Sequence, residues 1–350
     1  MRYIGGVLSS VEPETTSTSA SGVFTLNDYA QKLSATNLPV PQLGIQILIV
    51  GGGGSGGAGS ATNARGGGGG AGGMLQSLDY SFKINRGVTY TITVGAGGSK
   101  ENYTSSNGSN SEAFGAVAIG GGHGAIGYAA NFAGNGGSGG GTSNTNERAG
   151  HSIQQPVLGL TAFGNDGGNI FGRPNVNPYN VVPSGGGGAG ERGSTDAFYT
   201  GGDGISNTTF VKSDGSTFYG EGGVFAGGGA PGVDFNATNI AAGYSIGGVG
   251  GGGDAQGDSA TIANLVSAGS VLRYSIDGFA NTGGGGGGSR VVNNINWNKA
   301  LGPGKGGSGI VIIRYPDNFP AAIVTGSPEI VNANGNRQYA FLASGTFKVD

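Results

Sequence analysis

The sequence predicts an all-β protein in which jelly-roll-like or β-sandwich strands are interleaved with a bundle of polyglycine-II helices. Three observations point there. Glycine supplies 82 of the 350 residues, the glycines are gathered into tracts, and short β-branched or aromatic runs separate those tracts. No long stretch carries the 3.6-residue apolar period of an amphipathic helix. Glycine together with the 12 prolines reaches the range in which chains are often disordered. Against disorder stand 36 % hydrophobic residues, with 13 Tyr, 15 Phe and one Trp, enough to build a core.

In chain order, residues 1–43 come first, rich in Ser, Thr and Glu over Val11–Ser21. Thr25 and Asp28 form a weak capping box, and Leu26, Tyr29, Ala30 and Leu33 mark one face of a short helix that Leu38-Pro39-Val40-Pro41 ends. This stretch is too small and polar to fold alone and reads as an attachment segment. A glycine-rich β domain follows over 44–318. Its clearest strands are Ile45–Val50, entering Gly51–Gly54; Val88–Val94, entering Gly95; and Ile310–Tyr315, leaving Gly306–Gly309. Residues 319–350 form a small C-terminal β extension, with strands near Glu329–Val331 and Arg337–Leu342 around an Asn334-Gly335 turn, and a last strand over Thr346–Val349.

The tracts need a physical account, because ordering each glycine costs about 1–2 kcal/mol or more of conformational entropy. Extended three-residue-per-turn helices can offset it: they have no internal hydrogen bonds, but without side chains they approach closely enough to bond one another through backbone groups. The interruptions are small, as at Ser55, Ala58 and Ala71. Collagen is excluded, since Gly66–Gly70 and Gly283–Gly288 break any Gly-X-Y period.

Charge narrows the function. Seventeen basic residues face 20 acidic ones, charged residues are 11 % of the chain, and no Lys/Arg cluster appears, which argues against nucleic-acid binding. Cysteine is absent, so disulfides and thiolate metal sites are excluded. The apolar run at the N-terminus is too short for a secretory signal, and the runs elsewhere, Ile47–Val50 among them, are far too short to insert in a membrane as a helix.

Chemical motifs dissolve on inspection. G-x-G-x-x-G strings are expected by chance at this glycine content. Gly302-Pro303-Gly304-Lys305-Gly306-Gly307-Ser308 resembles a phosphate loop but has Gly306 where Ser or Thr must follow the lysine. His123 and His151 lack metal-ligand spacing and read as polar loop residues. Asp203, Asp214, Glu221, Asp234, Asp254 and Asp258 are scattered through glycine-rich loops with no paired signature. No cofactor, metal or catalytic residue is expected and the reading is non-enzymatic; a polysaccharide depolymerase stays as an alternative because sugar-cleaving carboxylates need no local motif. What remains is a binding surface. Phe171, Arg173, Tyr179, Phe198, Tyr199, Phe218, Tyr219 and Phe235 sit among Asn, Ser and Thr in the less regular stretches, the mixture that carbohydrate or protein-surface recognition uses.

Three segments carry a family resemblance. Ile47-Leu48-Ile49-Val50-Gly51-Gly52-Gly53-Gly54-Ser55-Gly56-Gly57-Ala58-Gly59, Gly87-Val88-Thr89-Tyr90-Thr91-Ile92-Thr93-Val94-Gly95-Ala96-Gly97-Gly98, and Gly307-Ser308-Gly309-Ile310-Val311-Ile312-Ile313-Arg314-Tyr315-Pro316 resemble the opening, first-hairpin and closing signatures of the glycine-rich domain of bacteriophage structural proteins, over roughly 45–316. Gly5–Ser10 with Ser19–Leu26 resembles the head of many phage virion proteins, with Phe24 where that family usually has Trp. The resemblance implies a tail fibre or spike adhesin on the virion surface, on tail or capsid exterior. It would bind host carbohydrate or protein and dock on other virion proteins through its N-terminal segment, where Tyr3, Ile4, Val7, Leu8, Phe24 and Leu26 are the candidate attachment residues. A head-decoration or capsid fibre protein is the alternative. Fibres and spikes of this kind imply a homo-oligomer, a trimer in most of them. A similar mixture of glycine helices and a jelly-roll-like sheet in the glycine-rich extracellular domains of some animal receptors supports the fold more than the function.

Overall fold

The computed structural model describes residues 41–59, 65–101, 104–127, 132–144, 148–170, 183–195, 200–212, 217–232, 245–255, 277–289 and 302–350. The helix expected over 25–33 and residues 1–40 of the expected attachment segment 1–43 lie outside the described residues, and its last two residues, Gln42 and Leu43, begin the first strand.

The described chain is all-β. Its strands are β1 (Gln42–Val50), β2 (Met74–Asn85), β3 (Tyr90–Thr93), β4 (Lys100–Glu101), β5 (Thr104–Ser105), β6 (Ser111–Ala113), β7 (Ala116–Ala118), β8 (Thr161–Phe163), β9 (Ile205–Ser206), β10 (Val224–Phe225), β11 (Ile310–Pro316), β12 (Ile323–Val324), β13 (Glu329–Ala333), β14 (Asn336–Phe341) and β15 (Gly345–Lys348). A six-stranded antiparallel sheet has the order β13-β14-β11-β1-β2-β8, and a five-stranded one the order β12-β15-β3-β6-β7. They stack as a β-sandwich. Between them Ile45, Ile47, Ile49, Ile313, Tyr315 and Phe341 of the first sheet meet Ile92, Ala113 and Phe347 of the second. Tyr339 stacks on Tyr315 at 5.8 Å, and both rings meet Phe347 edge-on.

The opposite face of the six-stranded sheet is buried too. Leu48, Val50, Ile310 and Ile312 pack there against Phe210, Phe225, Ala189 and Ala226. Burial on both faces explains why β1 and β11 read as continuous apolar runs rather than alternating ones. The C-terminal strands join both sheets. β14 pairs with β11, β15 pairs with β3, and Tyr339, Phe341 and Phe347 complete the central core.

The glycine tracts form a lattice of three-residue-per-turn rods. Gly51, Gly54 and Gly57 donate N–H bonds to the carbonyls of Gly73, Gly70 and Gly67; Gly52 and Ser55 donate to Ser109 and Ser106; Gly53 and Gly56 donate to Gly307 and Gly304. Every third residue thus points at the same neighbour, as a polyproline-II-type helix requires. The rod 66–73 is fully enclosed. Its eight N–H groups all donate, to carbonyls in 283–289, 119–125 and 184–187, while its own carbonyls accept from 51–57, 138–141 and 229–232. Six neighbours around one rod make hexagonal packing, and backbone bonds satisfy groups that a buried loop would otherwise leave orphaned. None of the glycines in 51–57 or 66–73 has φ in the left-handed region. Space selects them: a Cβ at Gly57, Gly67 or Gly69 would fall within 3.0 Å of the carbonyl oxygen of Ala125, Gly141 or Gly54. Residues with a Cβ, such as Ala71, Ala189 and Ala226, stand where a rod meets the apolar face of the sheet.

Candidate functional site

Connectivity gives the molecule two ends. β1 runs directly into rod 51–57, rod 66–73 runs into β2, and residues 304–309 run into β11, so the sandwich caps one end of each of these three rods. The pairings Gly57 to Gly67, Gly66 to Ser289, Gly67 to Ala125, Gly141 to Gly68 and Gly232 to Gly66 bring the other ends together. At that end the described residues flank stretches 60–64, 128–131, 145–147, 171–182, 196–199, 233–244, 256–276 and 290–301. Pro41 and Asp350 lie at the opposite end: the Arg86 amide donates to Pro41 O at 2.8 Å, the Arg86 Nε donates to Asp350 O at 3.1 Å, and the Gly87 amide bonds Val349 O at 2.7 Å.

Of the candidate contact residues, Phe171, Arg173, Tyr179, Phe198, Tyr199 and Phe235 lie outside the described residues, as do Tyr3, Ile4, Val7, Leu8, Phe24 and Leu26. Phe218 is half-buried and bridges to Val211. Tyr219 is 3 % exposed and belongs to the second core, with its hydroxyl donating to Glu329 Oε2 at 2.6 Å and Lys212 over its ring. The sequence pairs Tyr219 with Phe218 as exposed aromatics, but the bridge turns the tyrosine inward.

The acids of the glycine-rich loops find a common use in accepting from backbone amides of the rods and of the turns between them. Asp203 Oδ1 accepts from the Val249 amide, Asp254 Oδ1 from Gly247, Asp277 Oδ1 from Lys305, and Glu221 Oε2 from both Gly250 and Gly251, all at 2.8–2.9 Å. A turn breaks the lattice and leaves amides without a carbonyl partner, and a carboxylate fills that place with a charge-assisted bond. Asp214, Asp234 and Asp258 lie outside the described residues.

The histidines enter a polar ladder that crosses one flank of the lattice. Asn107 Oδ1 accepts from the His123 amide at 2.9 Å and its Nδ2 donates to Asn135 O at 2.8 Å; Asn135 Oδ1 accepts from the His151 amide at 2.7 Å. His151 Nδ1 lies 3.2 Å and Arg192 Nη2 lies 3.0 Å from Asp166 Oδ2, while the Ser152 amide donates to Asp166 Oδ1 at 2.8 Å. Partial burial pushes the Asp166 carboxyl upward, but the Ser152 amide, His151 and Arg192 outweigh it and hold it below the ordinary 3.8. Among the described residues no three His, Asp or Glu side chains gather as metal ligands, and no helix is long and apolar enough to cross a membrane.

A pocket of about 240 Å³ opens on the outer face of the six-stranded sheet, beneath the segment 207–212. Three amide or guanidinium side chains fasten that segment: Asn207 Nδ2 donates to Gln76 Oε1 at 2.9 Å, Arg314 Nη1 to Thr209 O at 3.1 Å, and Gln338 Nε2 to Val211 O at 2.7 Å. Sequence reasoning missed this site. Arg314 closing an apolar strand was its one local signal, and the register that sets Gln338 beside it lies 24 residues away in the chain.

A β-sandwich carrying a hexagonal lattice of glycine rods, with Pro41 and Asp350 at one pole and the rod ends around Gly57, Gly66 and Ser289 at the other, defines a glycine-rich β scaffold. Residues 30–316 match the family described as the glycine-rich domain, and the chain belongs to that family. No curated protein and no solved structure matches it significantly.

Proposed function

We propose that the chain is a non-enzymatic surface protein of a bacteriophage particle, a tail fibre or spike adhesin. The segment that precedes β1 docks on other virion proteins, and the loops joining the rods contact carbohydrate or protein on the host cell. One observation carries the reading. Pro41, which leads back into the attachment segment, sits at the sandwich pole, whereas the rod ends bracketing 171–182, 196–199 and 233–244 gather at the other. A rigid frame with variable connections at one end is a usual way to present recognition loops, and the resemblance of the opening, hairpin and closing segments to phage structural proteins supplies the setting. An oligomer, trimeric as in most fibres, belongs to the same proposal.

The test is binding of the purified chain to intact candidate host cells. Replacement must be confined to 171–182, because 183–195 and 200–204 are rods and Phe210 and Tyr219 are core. Saturable binding that is lost on replacing 171–182 with a short Gly-Ser linker, at unchanged melting temperature, supports the adhesin. Absence of binding by the folded wild type on every host, with antibody labelling over the whole head of the particle, would replace it with a head-decoration role.

A further inference from the structure

The pocket under segment 207–212 has the chemistry of a ligand site. Arg314 lies in its wall on β11, where the four preceding residues are buried and apolar, and it is half-buried. Its guanidinium makes one hydrogen bond, to Thr209 O, and among the described residues it forms no ion pair. A partly desolvated cation without a counter-ion is costly unless something neutralises it. Among the described residues no acidic side chain lines the pocket.

The groups around it are neutral hydrogen-bonders. Thr208 and Thr209 on one side and Asn334 on the other have no side-chain hydrogen bond to the protein among the described residues, and the amides of Asn336 and Gln338 complete the rim. Val211, Val331 and Ala333 supply a small apolar wall. One positive charge, a planar guanidinium fork with donors to spare, several hydroxyl and amide groups, and an apolar patch are the counterparts of a hydroxylated carboxylate. The single charge matches a carboxylate monoanion better than a phosphate. At about 240 Å³ the pocket is below the size of drug-like sites and admits one sugar-sized unit.

We propose that this pocket binds a carboxylate-bearing monosaccharide unit, with the carboxylate on Arg314 and sugar hydroxyls on Thr208, Thr209 and Asn334. The site lies on the flank of the sandwich, away from the loop-bearing pole, so it stands independently of the loop contacts proposed above.

The experiment is calorimetric titration of the full chain with glucuronate, glucose and inorganic phosphate. Glucuronate is expected to bind at one site and to weaken with added salt, and glucose to bind roughly tenfold or more weakly, the range a charge-assisted bond supplies. Arg314→Gln should reduce glucuronate affinity by a similar factor. Because Arg314 sits in a central strand, Ala333→Trp provides a second variant that fills the pocket from an edge strand; it should abolish binding without lowering the melting temperature. Glucuronate that fails to bind, glucose that binds as tightly, phosphate that binds more tightly, or glucuronate binding retained in Ala333→Trp would each overturn the assignment. The variant with 171–182 replaced should bind glucuronate like wild type, which separates failure of this site from failure of the host-binding reading.

Discussion

At the scale of single residues, the unusual feature is that glycine is demanded by closeness rather than by torsion. At Gly57 the nearest foreign atom to a Cβ would be a neighbouring carbonyl oxygen, on a backbone that cannot swing away as a long side chain can. Gly57→Ala should therefore cost about 3 kcal/mol, read as a fall in the denaturation midpoint at unchanged slope. Gly302→Ala, where a Cβ meets nothing within 4 Å, should stay within about 0.5 kcal/mol. The acids give a second prediction. The carboxyl of Asp166 is held below 3.8 in the folded chain, so its contribution is present above 3.8 and is lost as pH falls through the lower folded value. The melting temperature of Asp166→Asn should lie below that of wild type at neutral pH, and the gap should close only as the pH drops beneath 3.8. A gap that is constant with pH would show that the carboxylate charge plays no part.

At the scale of elements, phase matters more than length. Rod 66–73 addresses its six neighbours with every third residue, so one glycine inserted between Gly69 and Gly70 turns residues 66–69 by a third of a turn and misdirects their bonds. Three inserted glycines restore the phase. Thermal melting should show the single insertion to be the more destabilising despite being the smaller change. This periodicity was legible in the sequence as tracts too irregular for collagen, but the identity of each neighbour was not: a glycine rod has no side chains with which to encode a partner. The strands divide similarly. β1, β11 and the β13–β14 hairpin announce themselves through β-branched runs and Asn334-Gly335. β2 carries a different signal, the alternation of Leu78, Tyr80, Phe82 and Ile84 with Asp79, Ser81 and Lys83, but nothing local encodes the shift of its register against β1 between Ile45 and Ile47.

For the whole molecule, sandwich and lattice are one folding unit, joined where rods run unbroken into β1, β2 and β11 and where Ala71, Ala189 and Ala226 pack on the sheet. That continuity is also why residues 319–350 could not be recognised as integral from local pattern alone: the partners of β14 and β15 are β11 and β3, the latter some 250 residues earlier. The candidate site was legible in outline only, since aromatic and polar residues mark loops but cannot show that Tyr219 turns inward or that Arg314 lines a pocket. The proposed division of labour, attachment at the sandwich pole and recognition at the other, requires the lattice to transmit position rigidly across its length. The most direct measurement is therefore hydrogen exchange of the amides in 66–73. If each is bonded to a neighbouring rod, they exchange only through global unfolding, as slowly as the amides of β1. Exchange within seconds, while β1 stays protected, would contradict the lattice and leave the tracts as flexible linkers.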